Sequence, residues 1–561
     1  MKASSLPTRD RTGCAPIAPL DTALVFGHGT FQRLALLCAT LSIFISVSNG
    51  LAAVVFARPV EHWCRPPPEL AFMQTDVWKN QSIPVEPDGT FSKCTRYEPL
   101  LDAGNATENR TVVFCDEWDY DLATTGKSIV SEWNLVCHRR RLLLLHSLVY
   151  YGGAIAGSVV GCFGDSLGRK PVFMVALLLQ VASGTATIFS NTVLTFIILR
   201  FLTSTVSLTV MSLASVLLFE VTKTTHRVVF CAFAVSCTCA ALPLFHFLLL
   251  AVAGHWRMAQ AILMVPTCFL LFASYAIEES PCWLLGLGDV EGTERAVMSA
   301  ARVNGYPLDE VKVKMNKIKY ETLRRGNTQT NVHQSSPLDL ALNSSLRFRS
   351  VILFSCTLIT ILHYYDTYFD KTLVENRTGH ITLIVARLPV STAFLYVLHY
   401  MSRRQVLSVT MLHMSVVLAF QAWLVWQKDD SIQPIVTIII KGIVLDMISV
   451  ALYVYLLETF PTVLRATSFS LSSMFGRSGV VLLLLIRGPN PPINRALAMA
   501  VSALIFSLIG LAFLALPETT KVMATNTIRE TELEDMWQVP PREDFTRLKS
   551  ISSHSNVSKK S

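Results

Sequence analysis

Charge is what this chain has little of. Asp, Glu, Lys and Arg make up only 16% of its 561 residues, against roughly 25% in an ordinary soluble protein. That deficit argues against a soluble enzyme, a disordered chain or a nucleic-acid binder. A Gly-rich phosphate loop of the P-loop pattern is missing, which argues against a primary pump. No hydrolytic or redox centre is evident, and no cofactor is expected. Cys231, Cys237 and Cys239 cluster, but no His stands at ligand spacing beside them, so no metal site is expected. Residues 1–30 contain no apolar run, so no secretory signal peptide is expected there.

What the sequence has in quantity is apolar length. Hydrophobic residues make up 51% of it. About 20 mainly apolar residues cross a bilayer, and twelve such stretches are present: 33–56, 142–163, 171–190, 193–219, 228–252, 258–277, 350–370, 380–399, 405–426, 432–457, 464–486 and 496–516. The expected fold is all-α and membrane-embedded, with two six-helix halves. Residues 1–32 form an N-terminal segment and 33–277 the first half, which includes a large loop at 57–140. A central loop follows at 278–349, the second half at 350–516 and a tail at 517–561. The polar, Ser-rich tail is read as disordered from about residue 522.

Loop chemistry orients the bundle. Between Arg58 and His138 stand thirteen acidic and seven basic residues. The short loops on the other side carry Arg169, Lys170, Lys223, Arg227, Arg403, Arg404, Arg465 and Lys521. Basic loops stay in the cytosol, so both termini are expected there and the long loop outside. Of six glycosylation sequons, those at Asn80, Asn105, Asn109 and Asn376 fall on the predicted outer side, while those at Asn343 and Asn556 fall on the cytosolic side and are expected to be silent. The outer loop also holds Cys64, Cys94, Cys115 and Cys137, enough for two disulfides with three possible pairings. In the central loop, residues 308–325 read either as an amphipathic helix lying on the membrane surface or as a solvated linker helix.

Several motifs carry a resemblance. After the second span comes Gly161-Cys-Phe-Gly164-Asp165-Ser-Leu-Gly168-Arg169-Lys170. Phe31-Gln32 precedes the first span and Pro59-Val60-Glu61-His62-Trp63-Cys64 follows it. The outer loop contains Cys115-Asp-Glu-Trp118 and Ser128-Ile-Val-Ser-Glu132-Trp133-Asn-Leu135-Val136-Cys137. Further on stand His255-Trp256-Arg257, Glu279-Ser280-Pro281-Cys282-Trp283-Leu284, Glu458-Thr-Phe-Pro461 and Leu516-Pro517-Glu518-Thr519. Together they resemble the organic ion transporter family, the organic cation, anion and carnitine branch of the major facilitator superfamily. Three departures stand out. Ser166 takes a place that is often basic, and Cys282 replaces an Arg. The second-half counterpart of the basic loop, His399-Tyr-Met-Ser402-Arg403-Arg404, lacks its acidic residue.

The resemblance implies a solute carrier working by alternating access. Asp165, Gly168, Arg169, Glu220, Arg227, Glu279, Glu458 and Arg465 would then be gating residues. Arg477 and Arg387 fall where cation transporters place acids. A guanidinium is a fixed fork of donors suited to carboxylates and sulfates, so organic anions are the favoured cargo. Tyr364 and Tyr365 resemble an aromatic cavity lining; Asn49 and Asp446 are further candidate contacts. Arg387 also reads as the partner of Asp446 or Asp366, Arg200 as structural, and Asn49 as an interhelical hydrogen-bonding residue. The alternatives are an organic cation or carnitine-like zwitterion carrier, supported by Asp446 and Asp366, and a non-transporting receptor or scaffold. Expected partners are small organic ions, the plasma-membrane bilayer and a coupling ion or exchange anion, with no nucleic acid.

Overall fold

The computed structural model describes residues 25, 27–87, 89–98, 111–326, 336–368, 377–427, 433–487, 494–520, 528 and 531. Asn105, Asn109 and Asn376 lie outside them; Asn80 is described and exposed.

Each of the twelve apolar stretches forms a helix. In chain order these are α1 (Thr30–Phe56), α2 (Arg141–Leu167), α3 (Arg169–Ile188), α4 (Val193–Val221), α5 (Thr224–Val252) and α6 (Trp256–Ser274). The second half follows with α7 (Ser344–Tyr368), α8 (Arg377–Tyr400), α9 (Arg403–Gln427), α10 (Gln433–Thr459), α11 (Arg465–Ile486) and α12 (Arg495–Ala512). Their ends follow local chemistry. The Thr192 hydroxyl accepts from the Thr195 amide at the start of α4, and the Asn494 side chain accepts from the Ala496 amide at the start of α12. Leucines, valines and phenylalanines such as Leu178, Phe272, Val416 and Leu508 are exposed around the bundle. In a helix that is apolar all round, this is a lipid-facing surface rather than a packing fault.

The segment after α1 folds into a small cap at one end of the bundle. Strands β1 (His62–Cys64) and β4 (Trp118–Tyr120) pair antiparallel, as do β2 (Thr95–Glu98) and β3 (Thr111–Phe114). Two-stranded ribbons are marginal alone; here they are stapled. Of the three pairings open from sequence, the cap uses Cys64–Cys115 and Cys94–Cys137, with Cα separations of 5.7 and 5.6 Å. The Glu132 carboxylate docks the cap onto α6, accepting from Trp256 Nε1 at 2.6 Å and pairing with Arg257 at 2.6 Å. The Glu-Trp and Trp-Arg motifs are thus two sides of one joint.

The central segment packs against the other, far end. It contains short helices at Pro281–Gly286, Val290–Asn304 and Leu308–Gly326. Val311, Met315 and Ile318 form the apolar stripe of the last one, and all three are buried in the protein core. This helix therefore turns its apolar face into the protein rather than into lipid. Asn304 explains the Phe31-Gln32 motif. Its Oδ1 accepts the Phe31 amide at 2.9 Å and its Nδ2 donates to Gln32 Oε1 at 3.1 Å. Gln32 Nε2 in turn donates to the Val221 carbonyl at 3.3 Å, so one side chain ties α1, α4 and the central segment together.

Candidate functional site

Two sets of polar residues lie between the halves, one at the far end and one around a central cavity.

At the far end, Asp165 closes α2 and crosses to the second half. Its carboxylate accepts from the backbone amides of Thr467 at 2.7 Å and Ala466 at 3.3 Å, in the first turn of α11. A helix N-terminus is a natural anion seat. Arg169 pairs with Asp165 at 2.9 Å and with Glu220 at 3.3 Å, and donates to the Thr462 carbonyl of the other half at 2.8 Å. Glu220 also pairs with Arg465 across the halves at 2.9 Å. The chain of alternating charges is almost fully buried, and each charge has an opposite partner, which is what makes burial tolerable. Gly168 turns the chain between α2 and α3 at φ +103°, and a Cβ there would lie 2.7 Å from Glu279. Glu279 uses that space to accept the Arg169 and Lys170 amides at 3.2 and 3.0 Å, capping α3. Burial raises the pKa of this carboxyl, against the pull of those donors. Cys282 donates to the Glu220 carbonyl at 3.4 Å.

The second half carries a weaker copy. Arg403 lies 3.7 Å from Glu458, which accepts from Thr519 at 2.5 Å. The acid missing from this loop is replaced in space by Glu518, which accepts from Ser402. Arg227 donates to the Thr222 carbonyl at 3.3 Å and lies 4.3 Å from the Phe219 ring; among the described residues it has no carboxylate at ion-pair distance.

The cavity encloses about 140 Å³ between the halves. Its wall is mostly apolar and aromatic, with Ile43 and Val47 of α1, Met211 of α4, Val235 of α5, Ile361, Tyr364 and Tyr365 of α7, Leu452 and Tyr453 of α10, and Phe469 of α11. Arg477 of α11 is the one Lys, Arg, Asp or Glu among the described lining residues. Its Nη1 donates to the Tyr365 hydroxyl at 2.6 Å. No carboxylate among the described residues pairs with it. Glycines bring this about. A Cβ on Gly479 would lie 2.5 Å from the Leu358 carbonyl, and one on Gly476 would lie 3.0 Å from Ile361. Both bare positions let α7 close onto α11 and put Tyr365 on Arg477.

Three expected substrate contacts are engaged elsewhere. Arg387 does not line this cavity; its Nε lies 2.8 Å from Asp446, and both residues are buried. A bare charge at that depth is costly, so two opposite ones seek each other. Asp446 does not line this cavity either. Asn49 is also buried away from the cavity. Its Oδ1 accepts from Arg200 Nη1 at 3.3 Å and its backbone carbonyl accepts from Arg200 Nη2 at 2.7 Å. Arg200 thus holds α4 to α1 and stacks 4.3 Å over Tyr150. Asp366 pairs with Lys441 at 2.6 Å and Arg487 at 2.5 Å, clamping α7 to α10 and α11.

Two residues went unmarked in the sequence. Tyr151 of α2 meets Tyr365 edge-on at 5.5 Å, and its hydroxyl donates to the Gly50 carbonyl at 3.0 Å. Gly50 leaves the room that Tyr365 fills, since a Cβ there would lie 2.5 Å from its hydroxyl. The available signal was the doublet Tyr150-Tyr151, which repeats Tyr364-Tyr365 in the other half.

Twelve membrane-length helices in two sixes, a cavity between the halves and a buried charge relay beside it define a multi-pass transporter of the major facilitator fold. The fold matches the proton:xylose symporter XylE, bound to 6-bromo-6-deoxy-D-glucose, with a TM-score of 0.63 at 14% identity, covering 90% of this chain and 99% of that one. The chain belongs to the sugar (and other) transporter family, whose profile matches residues 105–526. Among curated proteins it is 27% identical to solute carrier family 22 member 6-B of Xenopus laevis, over 91% of this chain and 94% of that one. It is 26% identical to solute carrier family 22 member 7 of Mus musculus, over 91% and 96%. It is 27% identical to organic anion transporter 3 of Mus musculus, over 82% and 84%.

Proposed function

We propose that this chain carries amphipathic organic anions across the plasma membrane by alternating access, with both termini and the central segment in the cytosol. One observation carries the reading: Arg477 lies in the wall of an otherwise apolar and aromatic cavity between the halves, and its partner there is a hydroxyl rather than a carboxylate. A cation without a counter-charge in a low-dielectric wall attracts an anion and repels a cation. Tyr364 and Tyr365 offer ring faces to the apolar body of the cargo. The names of the similar proteins, organic anion transporter 3 among them, point the same way. The two acids that would favour a cationic cargo, Asp366 and Asp446, are both neutralised within the second half.

In this reading the structure represents a state closed at its cytosolic end. Asp165, Arg169, Glu220 and Arg465 are the closure, and they part when the halves rock. Gly168 and Glu279 hold the turn from which Arg169 reaches across; Arg227, Glu458 and Arg403 brace the same end.

The test uses the full chain in cells, with fluorescein as anionic probe and tetraethylammonium as cationic probe. Arg477→Asp should abolish fluorescein uptake at unchanged surface expression, while Arg477→Lys keeps a measurable part of it. Unchanged fluorescein uptake by Arg477→Asp would refute the charge assignment. Binding of fluorescein without any flux, in the wild type, would favour a receptor with this fold.

A further inference from the structure

Helix α5 belongs to the first half, and Pro243 lies inside it. Proline has no amide hydrogen, so the bond that residue 243 would give to the carbonyl of Cys239, four residues back, is not made. In a membrane interior such a freed carbonyl must find another donor. The donor comes from the other half: Nη1 of Arg387, on α8, donates to the Cys239 carbonyl at 3.4 Å.

Arg387 is arranged to do this. Its Nε faces Asp446 of α10 at 2.8 Å, close enough for charge pairing but not aligned as a hydrogen bond. Nη1 is therefore available, and it reaches both the Tyr368 hydroxyl at 2.8 Å and the Cys239 carbonyl. The ion pair and the Tyr368 bond lie within the second half and survive any rigid movement of the halves. The bond to Cys239 spans the halves and does not.

We infer that Arg387 is a positioning residue that latches the two halves together through the carbonyl that Pro243 leaves open on Cys239. This rests on the alternating-access reading but not on the sign of the cargo. The Arg387–Asp446 pair then carries the donor to the half interface without leaving a bare charge there. Its release is a step of rocking, and its making favours the state closed at the end where Asp165 meets Thr467.

Pro243→Ala tests this without touching Arg387. The substitution restores an amide at residue 243, returns the Cys239 carbonyl to its own helix and removes the acceptor. The first readout is hydrogen–deuterium exchange of the intact protein in nanodiscs, without substrate. Loss of one hydrogen bond from a charged donor is expected to raise opening at residues 162–170 and 462–468 by about tenfold. Fluorescein uptake should show a changed maximal rate at unchanged KM. Pro243→Gly also restores the amide and should behave alike, which separates the bond from the stiffness of the helix. In an Arg387→Met, Asp446→Leu background, where the pair is replaced by apolar side chains, Pro243→Ala should add nothing. Unchanged exchange in Pro243→Ala would overturn the latch. So would an equal effect of Pro243→Ala in that background, because the kink and not Arg387 would then be responsible. Failure of the anion reading leaves the exchange result standing.

Discussion

Gly50→Ala probes the cavity through a residue outside its described lining. The added Cβ would sit 2.5 Å from the Tyr365 hydroxyl, where ordinary contact begins at 3.4 Å, so the hydroxyl must retreat by about 0.9 Å. It now holds Arg477 Nη1 at 2.6 Å. A retreat of that size directed away from the guanidinium takes the pair to about 3.5 Å, the edge of hydrogen bonding. A bond to a charged group contributes about 1.5–3 kcal/mol. If Tyr365 orients Arg477 for the anion, the KM for fluorescein should therefore rise roughly tenfold or more, at unchanged surface expression. The double variant Gly50→Ala, Tyr365→Phe removes both clash and hydroxyl, and should match Tyr365→Phe alone. Wild-type KM in Gly50→Ala, or additive losses in the double variant, would refute the argument.

Three further outcomes follow from the same geometry. Glu220→Gln leaves Arg169 and Arg465 buried without their shared acid; it should cost about 3–5 kcal/mol, read as a lowered Tm of the purified protein. Gly126→Ala forces a side chain into a φ of +72° and puts its Cβ 2.1 Å from the Gly254 carbonyl, so the cap should lift from α6, with faster proteolysis between residues 120 and 140 and an intact helical bundle. Burial opposes the charge of Glu518, yet hydrogen bonds from Ser402 and Thr520 more than offset it and hold its carboxyl below the usual glutamate range. A depressed acid stabilises above its unfolded pKa of about 4.3 and loses that contribution as pH falls through its folded value. Exchange protection of residues 402–404 should thus persist at pH 5 and fall only below pH 4; loss already at pH 6 would contradict the assignment.

The twelve spans were legible because crossing a bilayer demands a length and a composition that any window can detect. Even the two least regular, with Asp366 and Arg387 inside them, formed helices, since a charge in a long apolar run is met by a partner rather than by unfolding. The far-end residues were legible through a motif: Gly168 needs its turn, and Asp165 and Arg169 their spacing of four. The residues that hold the central cavity were harder to find. Arg387 and Arg477 look equivalent as letters, each an Arg inside a span near a Pro or a Gly.

Chain order therefore determined the twelve apolar spans and, to within a few residues, their bounds. Folding in three dimensions decided the rest. It chose Cys64–Cys115 and Cys94–Cys137 from three pairings, turned Val311, Met315 and Ile318 inward, gave Arg387 to Asp446 and Asn49 to Arg200, and left Arg477 facing a tyrosine. The reason is range. Hydropathy and turn chemistry act over a few neighbouring residues, whereas the state of a buried charge depends on what lies within about 4 Å of it, and Asp446 reaches Arg387 from 59 positions away in sequence.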